Sequence, residues 1–360
     1  MAIKGIITEF AEEAAFLWQL RTRAVSAPHY SLDDLAKLDE RLEAHIDGLR
    51  VAGEQGWEIC ENYLTSKIPA EYFAPSVLAL EGDMATRTQA VLDAIGKDED
   101  KARAFISALG WITYKQAEPH INNLLVSESP FHRYIGVAAS AIHRHDPGHH
   151  LDKTLYEAFP LLMARGLRAY GELGRNIKLN TFRLRSNLSD DYDGIRFSTA
   201  WSAALTGNIE AVEVLKRFVV PESSYKEKAL NTALRRMEQA TALSWQKQLA
   251  ESLDTIRLAI IGAGIIGDPI LVPWLIDQMK TPAQARVAGE AFTMITGADI
   301  EHEELRGKRP EGFNAGPSDD PNDDNVALDD DLDLPWPNTE LITQWWNRNK
   351  GDFLGGARYI

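Results

Sequence analysis

The stretch Thr255–Met279, TIRLAIIGAGIIGDPILVPWLIDQM, constrains the chain more than any other, because it permits two incompatible folds. Gly262, Gly264 and Gly267 stand at the spacing of the G-x-G-x-x-G fingerprint, and the apolar run before them could pass for a buried strand. The same residues fit two short helices meeting at a glycine turn, with Asp268 as N-cap and Pro269 opening the second helix. A nucleotide site needs an uninterrupted helix next, then a second apolar strand ending in an acid roughly 20 residues on. Asp268-Pro269 and Val272-Pro273 sit inside that required helix, and KTPAQARVAGEAFTMITG after Met279 holds no strand-like run. The sequence favours the helical reading. A dinucleotide-binding oxidoreductase at Gly262–Gly267 is the second alternative for function.

The rest of the chain supports helix pairs. Residues 6–23 read as a helix with Ile7, Phe10, Ala14, Leu17 and Trp18 along one side. Ser31 and Asp34 form a capping-box pattern before the stripe Leu35, Leu38, Leu42, Ile46 and Leu49. Small-residue anchors then recur at Gly110, His143, Gly171 to Gly174 and Gly207, a period of about 30 residues. The gap from Gly207 to Gly267 holds two periods, with the weaker Ala229–Leu249 segment between them. Each unit is a small-residue helix, a Gly or Asp-Pro turn, and a second apolar helix. One pair cannot bury its own face, so neighbours must stack into an all-α solenoid. The expected divisions are an N-terminal helical region (1–74), a repeat array (75–300), an acidic irregular loop (301–337) and a C-terminal capping helix and tail (338–360).

The A-x-x-x-L-G-x-x-G-D-P-x-x-V-P-x-L pattern is approximated at Ala259–Leu275 and resembles the bacterial HEAT-like repeats first noticed in phycobilin lyases. The chain is also similar to an uncharacterised bacterial HEAT-like family through three further stretches. These are LDERLEAHIDGLRVAG from Leu38 to Gly53, HRHDPG from His143 to Gly148, and Leu334-Pro-Trp336-Pro with Trp345-Trp346. That resemblance implies a HEAT-like α-solenoid, and a family encoded at times near type VI secretion genes.

Charge narrows the partners. The 360 residues carry a net charge of −15, which disfavours indiscriminate binding to nucleic acid or anionic membrane. Eight aspartates and no basic residue fall in residues 319–333, so half the acidity belongs to this one stretch. The N-terminal stretch is interrupted by Glu9, Glu12 and Glu13, unlike a signal peptide. The single cysteine, Cys60, fits a reducing cytosol, and its neighbours Trp57 and Tyr63 mark it as a packed thiol. The expected location is cytoplasmic.

Four clusters could carry chemistry. His143, His145, His149 and His150 with Asp146 have the donor types of a transition-metal site, although Asp-Pro-Gly is first of all a turn. Hydroxylases of the HEAT-like deoxyhypusine kind use repeated His-Glu pairs, whereas this chain has only His302-Glu303. Asp320, Asn322, Asp324 and Asp331 loosely follow a calcium loop, with Asn325 where the turn glycine belongs. Arg165, Arg168, Arg175, Lys178, Arg183 and Arg185, offset only by Glu172, form the main basic cluster and the expected partner-binding surface. Trp57, Trp111, Trp201, Trp245 and Trp274 read as core wedges. The expected function is a non-enzymatic protein-binding scaffold: an adaptor, chaperone or cognate inhibitor for a secreted bacterial effector or secretion component. No metal, cofactor, nucleic acid or membrane partner is expected. The alternative is a HEAT-like enzyme, either a lyase-like cofactor handler or a metal enzyme at His143–His150.

Overall fold

The computed structural model describes residues 2–82, 85–176, 193–313, 315–316 and 329–359. Among them the fold is all helix, and one isolated antiparallel bridge, Arg306 to Pro337, is the sole extended pairing. The all-α expectation is met. No helix of the described residues is long and apolar enough to cross a membrane. The chain divides into two compact units, 1–202 and 203–360.

In the first unit α1 (Ala2–Ala24) packs along α2 (Leu32–Ala52), and α3 (Glu54–Asn62) closes against both. Ser31 and Asp34 make the reciprocal capping box, which stabilises such a helix start by about 1 kcal/mol. Behind it, Leu38, Leu42, Ile46 and Leu49 are buried at the spacing the sequence shows. Helix pairs follow: α4 (Phe73–Glu81) with α5 (Ala85–Ile95), α6 (Glu99–Trp111) with α7 (Tyr114–Leu125), and α8 (Pro130–Ile142) with α9 (His149–Thr154). Next come α10 (Pro160–Glu172) and α11 (Asp193–Leu205). The first helices stack in series, α4 on α6, α6 on α8 and α8 on α10.

Three of the joints close in the same way. Arg144, Gly174 and Gly207 each take positive φ just past a first helix, at 55°, 70° and 102°. The residue after each then donates its N–H five residues back: His145 to Ser140 O, Arg175 to Tyr170 O and Asn208 to Ala203 O, at 2.8 to 2.9 Å. This is the Schellman closure, which satisfies the carbonyls a helix end leaves over. An Asx side chain then starts the next segment by accepting an N–H two residues on. Asp146 does so for Gly148, Asn208 for Glu210 and Asp268 for Ile270. HRHDPG is one copy of this joint, and its His143 Nε2 also donates to Leu109 O of α6 at 2.7 Å.

The second unit contains α12 (Ala211–Lys216), α13 (Lys226–Arg236), α14 (Gln239–Leu249), α15 (Ile256–Ile266), α16 (Val272–Gln278), α17 (Pro282–Thr296) and α18 (Thr339–Asn349). Here α13 stacks on α15 and α15 on α17. Residues Ile256–Ile266 are helical throughout, so the glycine fingerprint forms no strand and no strand-to-helix turn. Its glycines serve packing instead. A Cβ on Gly262 would stand 3.1 Å from Leu234 of α13, and one on Gly264 would stand 3.2 Å from the Ala291 Cα of α17. Gly267 ends the helix at φ 69°, a left-handed cap. The spacing that resembles a phosphate loop is the spacing that lets α15 be approached closely from both sides.

A valine at position 264 therefore has no room. Gly264→Val is expected to destabilise the chain by about 1–3 kcal/mol in urea melts, the ordinary range for overpacking. Calorimetry should show no uptake of NAD(H), NADP(H) or FAD by the unaltered protein. Micromolar nucleotide binding that disappears in the variant contradicts the packing account.

Candidate functional site

Of the six basic residues expected to hold a partner, Lys178, Arg183 and Arg185 lie outside the described residues. The other three face internal acids. Arg165 Nη1 stands 2.8 Å from Glu172 Oε2, and Arg168 Nε donates to Glu172 Oε1 at 2.7 Å. Burial lowers the Arg165 pKa against the pull of Glu172. Arg175 spans the α8–α9 joint, donating to Asp146 and Asp152 and to Gly148 O, while its guanidinium lies over the Tyr170 ring. Arg168 is the most exposed of the three. Glu172 is shared by Arg165 and Arg168, while Asp146 and Asp152 take Arg175.

The histidine-rich stretch is divided by its own turn. His145 stacks on Tyr114 at 4.4 Å and His143 meets the same ring edge-on, whereas His149 lies against His150 at 4.0 Å. Among the described residues no group of three or more His, Cys, Asp or Glu is placed to hold a metal ion. Asp320, Asn322 and Asp324 of the calcium-like pattern lie outside the described residues. Asp331, its twelfth position, is turned into the fold and accepts both Nη atoms of Arg257 at 2.6 and 2.9 Å. Four of the five tryptophans carry a cation over the ring: Arg87 on Trp57, Arg21 on Trp111, Arg168 on Trp201 and Lys216 on Trp245. Such stacking closes the ring faces to a ligand. Cys60 is fully buried, and burial pushes its thiol up to about 12, so it is a poor nucleophile at neutral pH.

The feature that motif reading missed is a pair of adjoining clefts along the second helices of the first unit. The larger, about 730 Å³, opens between α5 and α7, with Gln89, Lys115, His120 and Asn123 on its walls and Phe105 and Leu92 at its base. The smaller, about 300 Å³, lies between the end of α7 and α9, bounded by Arg133, His150, Lys153 and Glu157. Ser127 lines both. Direct stacking of α4, α6, α8 and α10 fixes their spacing, and the second helices leave gaps between them that their side chains do not fill.

Polar groups in the clefts are held by ordinary means. His120 Nε2 donates to Leu80 O at 3.0 Å, and His132 Nδ1 is 3.3 Å from Ser127 Oγ. Burial holds the His132 pKa below its ordinary value against the pull of Asp93. Burial, helped by His149 and Lys153, does the same to His150. Both imidazoles are therefore neutral at pH 7. Glu81 is taken by Arg50 and Glu157 by Arg133, at 2.7 and 2.8 Å. α7 and α5 supply most residues of the larger cleft at ordinary helical spacing, so nothing in the sequence sets them apart from any other helix face.

No protein-family model, no curated protein and no solved structure matches this chain.

Proposed function

We propose that this protein is a non-enzymatic protein-binding scaffold whose helix pairs form a HEAT-like α-solenoid. The observation that carries the reading is the repeated joint of Schellman closure and Asx turn, together with first helices stacked in series. A stack built that way presents its second helices as a long side surface, and the cleft pair lies on that surface in the first unit. The resemblance to HEAT-like proteins encoded near type VI secretion genes supplies the biological setting: an adaptor, chaperone or cognate inhibitor of a secreted bacterial effector, acting in the cytoplasm. Within this reading Arg168, alone of the described cluster, keeps enough exposure to touch a partner. Arg165 and Arg175 hold the surface beneath it together.

The test is affinity capture with the full chain from a bacterial lysate, followed by reconstitution of each captured protein with the purified chain in sedimentation velocity. A stoichiometric complex of micromolar or tighter affinity is expected. If no captured protein reconstitutes, while a metabolite or metal copurifies at one per chain, the scaffold reading fails in favour of a ligand-handling enzyme.

A further inference from the structure

We propose that the cleft pair between α5, α7 and α9 binds an extended, acidic segment of a partner protein. This names the partner class for the scaffold function above and rests on that reading. The argument begins from charge. The carboxylates lining the clefts, Glu81 and Glu157, are already engaged by Arg50 and Arg133. Lys115, on the wall of the larger cleft, and Lys153, on that of the smaller, are exposed and form no ion pair with a described residue. The ionised side chains lining the two clefts are Lys115, Lys153 and Arg133 against Glu81 and Glu157, a positive excess on a chain of net charge −15. Lys115 also lies in the first turn of α7, where the helix dipole disfavours a cation, so helix stability does not account for it.

Shape and hydrogen bonding agree. Three neighbouring helices spaced at or beyond the roughly 8–10 Å of direct packing span about 20 Å or more, which an extended chain covers in about six residues or more. Asn123 sits exposed on the α7 wall between the two lysines in sequence. Its amide can donate and accept at once, which suits a peptide backbone and not a phosphate. Leu92 and Phe105 give the larger cleft an apolar base for one side chain. The occupant this describes carries acids at both ends of a short extended run, with an apolar residue between them. A nucleic acid would meet two lysines on a strongly acidic protein, too few to overcome the surrounding repulsion.

The test uses the full-length chain and fluorescein-labelled eight-residue peptides rich in Asp and Glu around a central Leu, read by fluorescence anisotropy. Matching peptides with Asn and Gln in place of the acids, and a labelled oligothymidine, are compared with them. The acidic peptides should bind at least tenfold more tightly than the amide peptides at low salt, and lose at least tenfold at 0.5 M salt. Lys115→Glu/Lys153→Glu should remove at least tenfold, whereas Lys37→Glu/Lys67→Glu, at exposed sites away from the clefts, should change little. All four lysines are exposed, so the variants should melt like the unaltered chain. Asn123→Ala should weaken the acidic and the amide peptides alike. Equal affinity for both peptide sets, tighter binding of the oligothymidine, no binding at all, or full binding by the Lys115/Lys153 variant overturns the proposal. If a partner reconstituted from the lysate binds the Lys115/Lys153 variant unchanged, the site is wrong and the scaffold reading stands.

Discussion

Replacing Arg286 with methionine is expected to destabilise the chain by about 3 kcal/mol or more, although the exchange nearly keeps side-chain volume. Arg286 lies on α17 with its side chain only 5% exposed. It donates from Nη2 to both oxygens of Asp329 at 2.7 Å and from Nη1 to Asp331 O at 2.6 Å, and its guanidinium lies over the Trp336 ring. Arg257 on α15 takes the Asp331 carboxylate. Two arginines thus clasp residues 329–336 onto the helix stack. Methionine fills the volume but leaves Asp329 and a buried carbonyl without their donor. Urea melts followed by tryptophan fluorescence measure the loss, and a variant as stable as the original chain refutes the clasp.

The clasp also sets a pH signature. Burial alone would raise the Asp329 pKa, but Arg286, the Asp331 N–H and Arg309 together hold it below its ordinary value. A carboxyl whose folded pKa is depressed contributes stability above its unfolded pKa, and that contribution is lost as pH falls through the folded value. Stability should therefore begin to drop below about pH 5 and go on falling beneath the ordinary aspartate value of about 3.9. Arg286→Met, having lost the contribution already, should lose less over that window.

How much of this was legible beforehand depended on reach along the chain. Ser31 and Asp268 are recognisable as caps because a cap's partners lie within one turn of it. The anchors at His143, Gly174 and Gly207 are legible for the same reason, since the Schellman closure beside each joins residues five apart. The acidic stretch reads as an irregular loop because its partners are remote. Arg286 and Arg257 stand 43 and 74 residues from the aspartates they hold, and each looks like an ordinary helical arginine in its own context. In the arginine cluster, Glu172, one turn from Arg168, pairs with a largely buried Arg165 and an exposed Arg168, and the α8–α9 joint claims Arg175, contacts that the run of cations in sequence does not announce. The cleft residues left no trace in the sequence, because a gap between helices is a property of packing.

The second large effect is expected at Asp268, the acid that follows the glycine fingerprint. Its side chain is fully buried and faces neutral donors: Oδ1 accepts from Ile270 N and Gly356 N, and Oδ2 accepts from Gln239 Nε2 at 2.6 Å. Gly356 belongs to the C-terminal tail, which is pinned nearby by two more contacts. Tyr359 N donates to Gly267 O at 2.8 Å, and Arg358 Nη2 donates to Leu234 O and Met237 O at the end of α13. Phe353 meanwhile lies against Trp345 and Trp346 of α18. One carboxylate therefore starts the turn after α15, holds α14 through Gln239 and anchors the tail. Asp268→Ala leaves three donors unsatisfied at about 1–3 kcal/mol each, some regaining water as the tail lifts, so a net loss of about 3–4 kcal/mol is expected. Asp268→Asn should cost less, because its oxygen can still serve the two backbone N–H groups while Gln239 turns its amide to accept. Hydrogen exchange gives the sharper readout, since protection at Gly356 and Tyr359 should collapse in the alanine variant and persist in the asparagine one. Removing residues 354–360 should itself destabilise the chain and shrink the further effect of Asp268→Ala, because the two changes break a shared set of bonds. Full additivity of the two, or a protected tail in Asp268→Ala, would show that the tail is held by something other than this carboxylate.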